Sequence, residues 1–187
     1  MPAVKSLQVT TWFLQMTDPA RLAPAPDPDT ALEFRQVELP CPELSRGLYA
    51  GVGSDWWWTD RVGWTYSRWM QWLDRPELET WVPWLRGTPA GLSELERAGD
   101  AVEIASFGLL PAFIGRGIGT RLLDFVLRRA WALGPRRVWV HTCSLDGPAA
   151  LRTYQGRGLE IYDERIEQVS LPDEKPEPWP GADRPPA

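Results

Sequence analysis

The segment 101–120 constrains the fold of this chain more than any other. A strand-like run over 101–110 is followed by a glycine-rich turn that reads GRGIGT over 115–120. A long amphipathic helix is predicted over 117–133, because its apolar residues recur at i, i+3 and i+4, and Gly134 before Pro135 predicts where it ends. This order predicts backbone N–H groups and a helix N-terminus at one edge of a sheet.

The chemistry of this turn favours an anionic ligand. Gly115, Gly117 and Gly119 carry no side chain, so backbone N–H groups can approach a ligand closely. The helix N-terminus adds a partial positive charge of about half a unit, and Arg116 and Arg121 can add charge-assisted hydrogen bonds. A pyrophosphate therefore fits the turn.

Other kinds of site also contain a strand, glycines and a helix. A dinucleotide-binding fold has this order, but here an antiparallel meander precedes the turn instead of an N-terminal βαβ unit. A nucleoside-triphosphatase needs a lysine in the turn, and none follows Gly119. The remaining alternative is a turn that only caps the helix.

The other segments complete a mixed α/β pattern. Proline spacing predicts a loop over 18–29, and helix in two pieces is predicted over 42–73. The charged, proline-rich end, 172–187, is predicted to be a disordered tail after a single domain over 1–171. Strands are predicted over 7–15, 32–39, 79–86, 90–97, 101–110, 137–142 and 159–171, with a short helix over 148–156.

Composition excludes several classes of function. The 187 residues are 43% hydrophobic, which suits one domain, and the net charge of -5 argues against nucleic-acid binding. No apolar run approaches the roughly 20 residues of a membrane span, and the start lacks a signal-peptide pattern, so we expect a cytoplasmic protein. Cys41 and Cys143 are far apart, which argues against a disulfide framework or a metal site.

The residues around the turn resemble the acetyl-CoA motif of the GCN5-related N-acetyltransferase (GNAT) family. The match runs from Val102-Glu103-Ile104 through the GRGIGT turn, and a second match covers 149–154 and 156–159. Two positions depart from the pattern: Ile114 stands where the family usually has Gln or Arg, and Gly147 stands where it often has Asn. The resemblance implies a mixed, mostly antiparallel, twisted sheet flanked by helices, with a coenzyme A-binding core over about 101–160.

The resemblance also implies which residues bind the cosubstrate, acetyl-CoA. Its pantetheine arm would follow the edge of the strand that ends at Leu110, and its pyrophosphate would bind the turn. The backbone N–H of Leu109 would polarise the thioester carbonyl. The implied set is Phe107, Leu109, Leu110, Ile114, Gly115, Arg116, Gly117, Ile118, Gly119 and Thr120.

Transfer to an amine needs a base, and an acid for the departing thiolate. By resemblance, Glu103 is the candidate base and Tyr154 the candidate acid; the alternatives are a surface carboxylate and a packed aromatic ring. His141, the single histidine, is a candidate base or substrate-binding residue, or else a structural one. Cys143 could form a covalent acyl intermediate, but no activating partner is evident.

Many tryptophans lie in the region before the third strand, which the resemblance implies determines the acceptor. Aromatic walls bind apolar, aromatic or cationic groups, so Trp57 and Trp84 are candidate substrate-binding residues, although most such rings belong to cores. Asp55, Asp60 and Glu94 could attract an amine. If 56–58 formed a strand, its three tryptophans could not all face inward, because side chains alternate.

These observations favour an enzyme that moves an acetyl group from acetyl-CoA to a primary amine of a small molecule or peptide. A transferase for a longer acyl group or a hydroxyl acceptor has the same fold, and so does a non-catalytic acyl-CoA sensor. We expect no nucleic-acid or membrane partner, and a homodimer is compatible with exposed tryptophans.

Overall fold

The computed structural model describes residues 4–175 and 177–182. An eight-stranded sheet has the order β2-β3-β5-β6-β7-β1-β8, with β4 pairing β3 at the side, and helices flank it. The predicted mixed α/β fold with a mostly antiparallel sheet is confirmed. The strands are β1 Val4–Met16, β2 Leu32–Gln36, β3 Leu78–Leu85, β4 Thr88–Pro89, β5 Gly91–Ala98, β6 Ala101–Leu109, β7 Arg137–Cys143 and β8 Glu160–Pro172. The helices are α1 Pro42–Gly53, α2 Tyr66–Leu73, α3 Ile118–Ala132 and α4 Ala150–Gly156, with 3-10 turns at Pro19–Arg21, Ser54–Trp56 and Pro111–Phe113.

The predicted meander forms the first half of the sheet. Strands β3, β5 and β6 pair antiparallel in sequence order. After α3, β7 returns parallel to β6, but residues 101–103 pair with 137–139 and the pairing goes no further, although β6 continues to Leu109. The two strands therefore diverge and leave an opening at their carboxyl ends.

The N-terminal strand lies at an unexpected place. The sequence predicts β1, but not that it lies between β7 and β8, antiparallel to both. Thr11 pairs with Cys143 on one side and with Arg165 on the other. The connection β7-α4-β8 consequently passes across β1.

Each face of the sheet has its own core. Helices α3 and α4 cover one face, where Leu122, Leu123 and Leu127 of α3 are fully buried, as the periodicity predicts. Each such side chain contributes about 1.5–3 kcal/mol relative to an exposed position. Helices α1 and α2 cover the other face, where Tyr49 and Trp69 are buried.

Two arginines fix the long loop between β1 and β2 against α3. The buried Arg157 guanidinium donates to the Asp124 carboxylate and to the carbonyls of Ala23 and Pro24. Arg121 donates to the carbonyl of Asp27 at 2.9 Å. The loop therefore keeps a defined path beside the start of α3.

The predicted disordered tail overlaps β8 by one residue, because the strand ends at Pro172. Residues 173–175 and 177–182 follow without helix or strand, and the remaining tail positions, 176 and 183–187, lie outside the described residues. No helix among the described residues is long and apolar enough to cross a membrane.

Gly158 tests the packing between α4 and the β1–β2 loop. Its φ is +101°, and a Cβ there would meet the carbonyl of Arg21. We expect Gly158→Ala to lower the free energy of unfolding by about 1–3 kcal/mol, measured by urea denaturation followed by tryptophan fluorescence. Gly47→Ala is the control, since Gly47 is helical and nothing lies within 4 Å of its Cβ position. Equal stability of the two variants would contradict this packing.

Candidate active site

The divergence of β6 from β7 opens a cavity of about 1050 Å³. One side is formed by the end of β6 and the turn before α3, and the opposite side by the end of β7, the following loop and α4. Residues of α1 and of the segment 56–61 close a third side. The cavity therefore connects the glycine-rich turn with the tryptophan-rich segment.

The edge of β6 offers backbone groups to this cavity. The N–H of Leu110 donates to the carbonyl of Ala90 at 2.8 Å, toward β5. Because hydrogen-bonding direction alternates along an antiparallel strand, the backbone groups of Phe107 and Leu109 point away from β5, into the opening. The backbone groups of Leu109 are thus free to bind a ligand, whereas the N–H of Leu110, predicted to do the same, already donates to the sheet.

The turn 115–120 presents free backbone donors. Within the described ranges, no backbone or side-chain acceptor is paired with the N–H groups of 115–120. Gly115 and Gly117 have φ values of +81° and +73°, which other residues rarely adopt. Gly117 is also the N-cap of α3, so these donors converge with the positive end of the helix dipole. The turn therefore presents the backbone donors that an anion site requires.

The two arginines of the turn have different surroundings. The Arg121 guanidinium donates to the carbonyls of Asp27 and Gly117, so it stabilises the turn from behind. Arg116 is exposed and its guanidinium lies 5.8 Å from the Phe113 ring centroid. Among the described residues no acceptor is paired with the Arg116 guanidinium, whereas Arg121 already uses two of its three nitrogens.

Most of the predicted site residues line the cavity, and some do not. Among the implied cosubstrate-binding residues, Leu110, Arg116 and Ile118 stay outside its lining, as do the candidates Glu103 and Trp84. Trp84 lies on β3 with the guanidinium of Arg35 5.6 Å from its ring. The predicted residues that line the cavity are Phe107, Leu109, Ile114, Gly115, Gly117, Gly119, Thr120, Trp57, His141 and Tyr154.

Glu103 reaches the cavity through His141. Glu103 pairs with Trp139 across β6 and β7, which places His141, two residues later, on the same face. The Nδ1 of His141 lies 3.3 Å from Oε1 of Glu103, and the two side chains are 49% and 19% exposed. The carboxylate thus lies behind the imidazole, which itself lines the cavity.

Tyr154 of α4 faces the edge of β6. Its ring centroid lies 5.7 Å from that of Phe107, and the residue is 5% exposed. Burial, followed by the charge of Asp146, raises the pKa of the Tyr154 phenol. Its hydroxyl has no hydrogen-bond partner in the part of the chain that the structure describes. The phenol is therefore held protonated beside the cavity.

Asp146 braces the loop between β7 and α4. It accepts hydrogen bonds from the Thr142 hydroxyl at 2.7 Å, the Cys143 N–H at 2.9 Å and the Trp58 indole at 3.4 Å. Burial and this nearby carboxylate raise the pKa of the Cys143 thiol. Cys143 is consequently a poor nucleophile at neutral pH.

The three consecutive tryptophans form an aromatic wall instead of a strand. Ser54–Trp56 is a 3-10 turn, and Trp57 has φ +63°, an uncommon conformation for a bulky residue. Because the chain turns here, all three rings line the cavity, which side-chain alternation along a strand would forbid. The Trp56 ring lies 3.4 Å from where a Cβ of Gly147 would be. A Cβ at position 147 would therefore make only an ordinary van der Waals contact with this ring.

Sequence reasoning missed Tyr49, Arg61 and Ser106, which also line the cavity. Burial raises the pKa of Tyr49 to about 12, with the charge of Arg61 acting in the opposite direction. No local motif marks these residues. They meet because α1, the segment after the tryptophans and β6 converge.

The sequence profile described as the acetyltransferase (GNAT) family matches residues 38–159. This chain belongs to that family. The match covers the aromatic wall, the meander, the turn and α4, while β1, β2 and all of β8 lie outside it. A comparison with curated protein sequences finds no match.

Solved GNAT structures share the fold at low sequence identity. A GCN5-related N-acetyltransferase from Sphaerobacter thermophilus is 17% identical, with a TM-score of 0.66 over 93% of this chain and 54% of that one. One from Kribbella flavida is 18% identical, with a TM-score of 0.59 over 91% and 60%. An aminoglycoside N-acetyltransferase in complex with CoA is 18% identical, with a TM-score of 0.53 over 71% and 90%. The chain thus spans little more than half the length of the first two.

The raised thiol pKa makes Cys143 slow to alkylate. In a Cys41→Ser variant, we expect iodoacetamide at pH 8 to modify Cys143 more slowly in the folded protein than in urea, because little thiolate forms in the folded state. The folded-state rate should keep rising with pH above the ordinary thiol pKa of about 8.5. Mass spectrometry of quenched samples measures both rates. Faster modification of the folded protein at pH 7 would contradict this assignment.

Proposed function

We propose that the chain is an N-acetyltransferase that moves an acetyl group from acetyl-CoA to a primary amine of a small molecule or peptide. The observation that carries the proposal is the row of unpaired N–H groups over 115–120, which opens into the same cavity as the aromatic wall. The CoA complex of the aminoglycoside N-acetyltransferase, which shares the fold, supports the choice of cosubstrate. The two cysteines are free, which is compatible with a cytoplasmic setting.

The residues present fit acetyl-CoA, which would supply an acyl group activated as a thioester. Backbone N–H groups of the turn can bind a pyrophosphate even though Ile114 stands in place of the usual Gln or Arg side chain. The N–H and carbonyl of Phe107 and the carbonyl of Leu109 can pair with the amides of an extended pantetheine arm, as an added strand would. The N–H of Leu109 would then donate to the thioester carbonyl oxygen and stabilise charge that develops there.

The proton transfers are assigned to the His141–Glu103 pair and to Tyr154. As the amine nitrogen bonds to the carbonyl carbon and the carbon–sulfur bond breaks, the amine must lose a proton and the sulfur must gain one. Imidazole Nε2 of His141 takes the amine proton, while Glu103 at Nδ1 orients the ring and stabilises its positive charge. The protonated Tyr154 phenol donates to the sulfur, and solvent then restores its proton.

Binding at the glycine-rich turn is tested by thermal unfolding with acetyl-CoA, with NAD as the ligand control. At a hundred times the dissociation constant, acetyl-CoA should add about 2.7 kcal/mol to the free energy of unfolding. Gly117→Ala should abolish most of this gain, because alanine at a φ of +73° strains the N-cap whose neighbouring N–H groups would bind the pyrophosphate. Gly134→Ala is the matched control, since Gly134 also has a positive φ, +75°, but lies after the C-terminal end of α3, and no atom lies within 4 Å of its Cβ position.

A stabilisation by NAD equal to that by acetyl-CoA would contradict the choice of cosubstrate. A full acetyl-CoA gain in Gly117→Ala, equal to that of the wild type and of Gly134→Ala, would contradict the site.

The coupling of Glu103 and His141 is tested by a double-mutant cycle on acetyl transfer. Glu103→Gln and His141→Gln should each lower kcat by about 10²–10⁴-fold, and the double variant should be no slower than the worse single variant, because the two side chains act as one unit. Glu96→Gln is the control, since Glu96 lies opposite Glu103 on β5 but pairs with Arg75. Additive losses would show that the residues act independently.

A further inference from the structure

Arg61 is a cation fixed at the acceptor end of the cavity. Its side chain is 13% exposed, and the residue lines the cavity next to the aromatic wall. The guanidinium carbon lies 4.1 Å from the Trp72 ring centroid and 5.5 Å from that of Tyr49. Arg61 donates to Glu94 at 2.6 Å. Aromatic faces and an ion pair thus hold one orientation of the guanidinium.

Glu94 is saturated by its neighbours. The residue is 1% exposed and accepts from the Trp72 indole at 3.1 Å, the Ser106 hydroxyl at 2.8 Å and Arg61. It does not line the cavity. The expectation that Glu94 attracts the amine is therefore not supported, because its oxygens already serve to fix Arg61.

The donors of Arg61 are only partly used. One nitrogen, Nη1, is paired with Glu94, and within residues 4–175 and 177–182 no acceptor is paired with Nε or Nη2. Neither nitrogen belongs to the fully buried unpaired polar atoms, which do include nitrogens of Arg75 and Arg157. The free donors of Arg61 are therefore accessible, and this residue lines the cavity.

We propose that the acceptor amine carries a carboxylate, or another compact anion, that binds Arg61. This inference rests on the proposed transfer function and adds the substrate class. A guanidinium with free donors recognises a carboxylate or phosphate with directed, charge-assisted hydrogen bonds. Asp60 lines the same wall but is exposed, so water and salt screen its charge, while Arg61 lies deeper.

The test compares matched acceptors by CoA thiol release from acetyl-CoA. Phenylalanine, phenylalaninamide and the phosphonate analogue of phenylalanine offer the same ring and a primary α-amine with a carboxylate, a neutral amide or a phosphonate. Because the neighbouring group changes the pKa of the amine, kcat/KM is expressed per unprotonated amine. We expect kcat/KM for the carboxylate to exceed that for the amide by roughly 10- to 100-fold, the usual effect of a hydrogen bond to a charged group. The phosphonate shows which anion the site prefers.

Variants then assign the preference to Arg61. In Arg61→Gln the ratio of kcat/KM between carboxylate and amide acceptors should fall toward one. Because Arg61→Gln leaves the buried Glu94 carboxylate without its cation and could misfold, the double variant Arg61→Gln/Glu94→Gln, which removes both charges, is measured as well. Arg75→Gln is the matched control, because Arg75 stacks on Trp72 at 4.3 Å and pairs with Glu96 but does not line the cavity. It should keep the wild-type ratio.

The outcomes separate this inference from the proposed function. Equal kcat/KM for the three acceptors, or a ratio unchanged in both Arg61 variants, would overturn the role of Arg61 and leave the transferase intact. No thiol release with any amine would contradict the transferase. In that case, thermal stabilisation by phenylalanine but not by its amide, lost in Arg61→Gln, would still support an anion site at Arg61, and its absence would overturn it.

Discussion

The short parallel pairing of β6 with β7 is the constraint on which the rest of the site depends. Because pairing stops after 101–103, the edge of β6 keeps the backbone groups of Phe107 and Leu109 free. The same divergence lets α4 approach β6, so that Tyr154 packs on Phe107, and it turns the start of α3 toward the opening. One interruption in a sheet thus brings together a strand edge, a turn with free backbone donors and a buried phenol.

The opposite end of the cavity is built from fixed aromatic rings and charges. The tryptophan wall turns through the left-handed Trp57, whose ring lies 4.4 Å from the Lys5 ammonium of β1. Glu94 and Trp72 hold Arg61, and Asp146 ties Trp58 to the loop after β7. These contacts join β1, α1, α2 and β7 around the end of the cavity proposed to bind the acceptor. Side chains held in this way would make the proposed acceptor site selective, because little ordering is needed on binding.

Local signals made much of this structure predictable. The GRGIGT turn, the periodicity of α3 and the meander were predicted from neighbouring residues, and the structure has them at nearly the same bounds. The place of β1 could not be predicted, because its pairing with β7 and β8 depends on contacts across almost the whole chain. The contact between Glu103 and His141 depends on the register of β6 and β7, which local sequence patterns do not determine. The site of Arg61 lacks any motif.

The central claim is that the backbone donors of 115–120 bind the pyrophosphate of CoA. A titration of ¹⁵N-labelled protein with CoA, followed by two-dimensional NMR, observes these amides one by one. We expect the largest shifts on the N–H groups of 115–120 and Leu109, while Leu110, whose N–H donates to Ala90, changes less. CoA binding with its largest shifts elsewhere, and none at the turn, would show that the pyrophosphate does not bind to the backbone donors of 115–120.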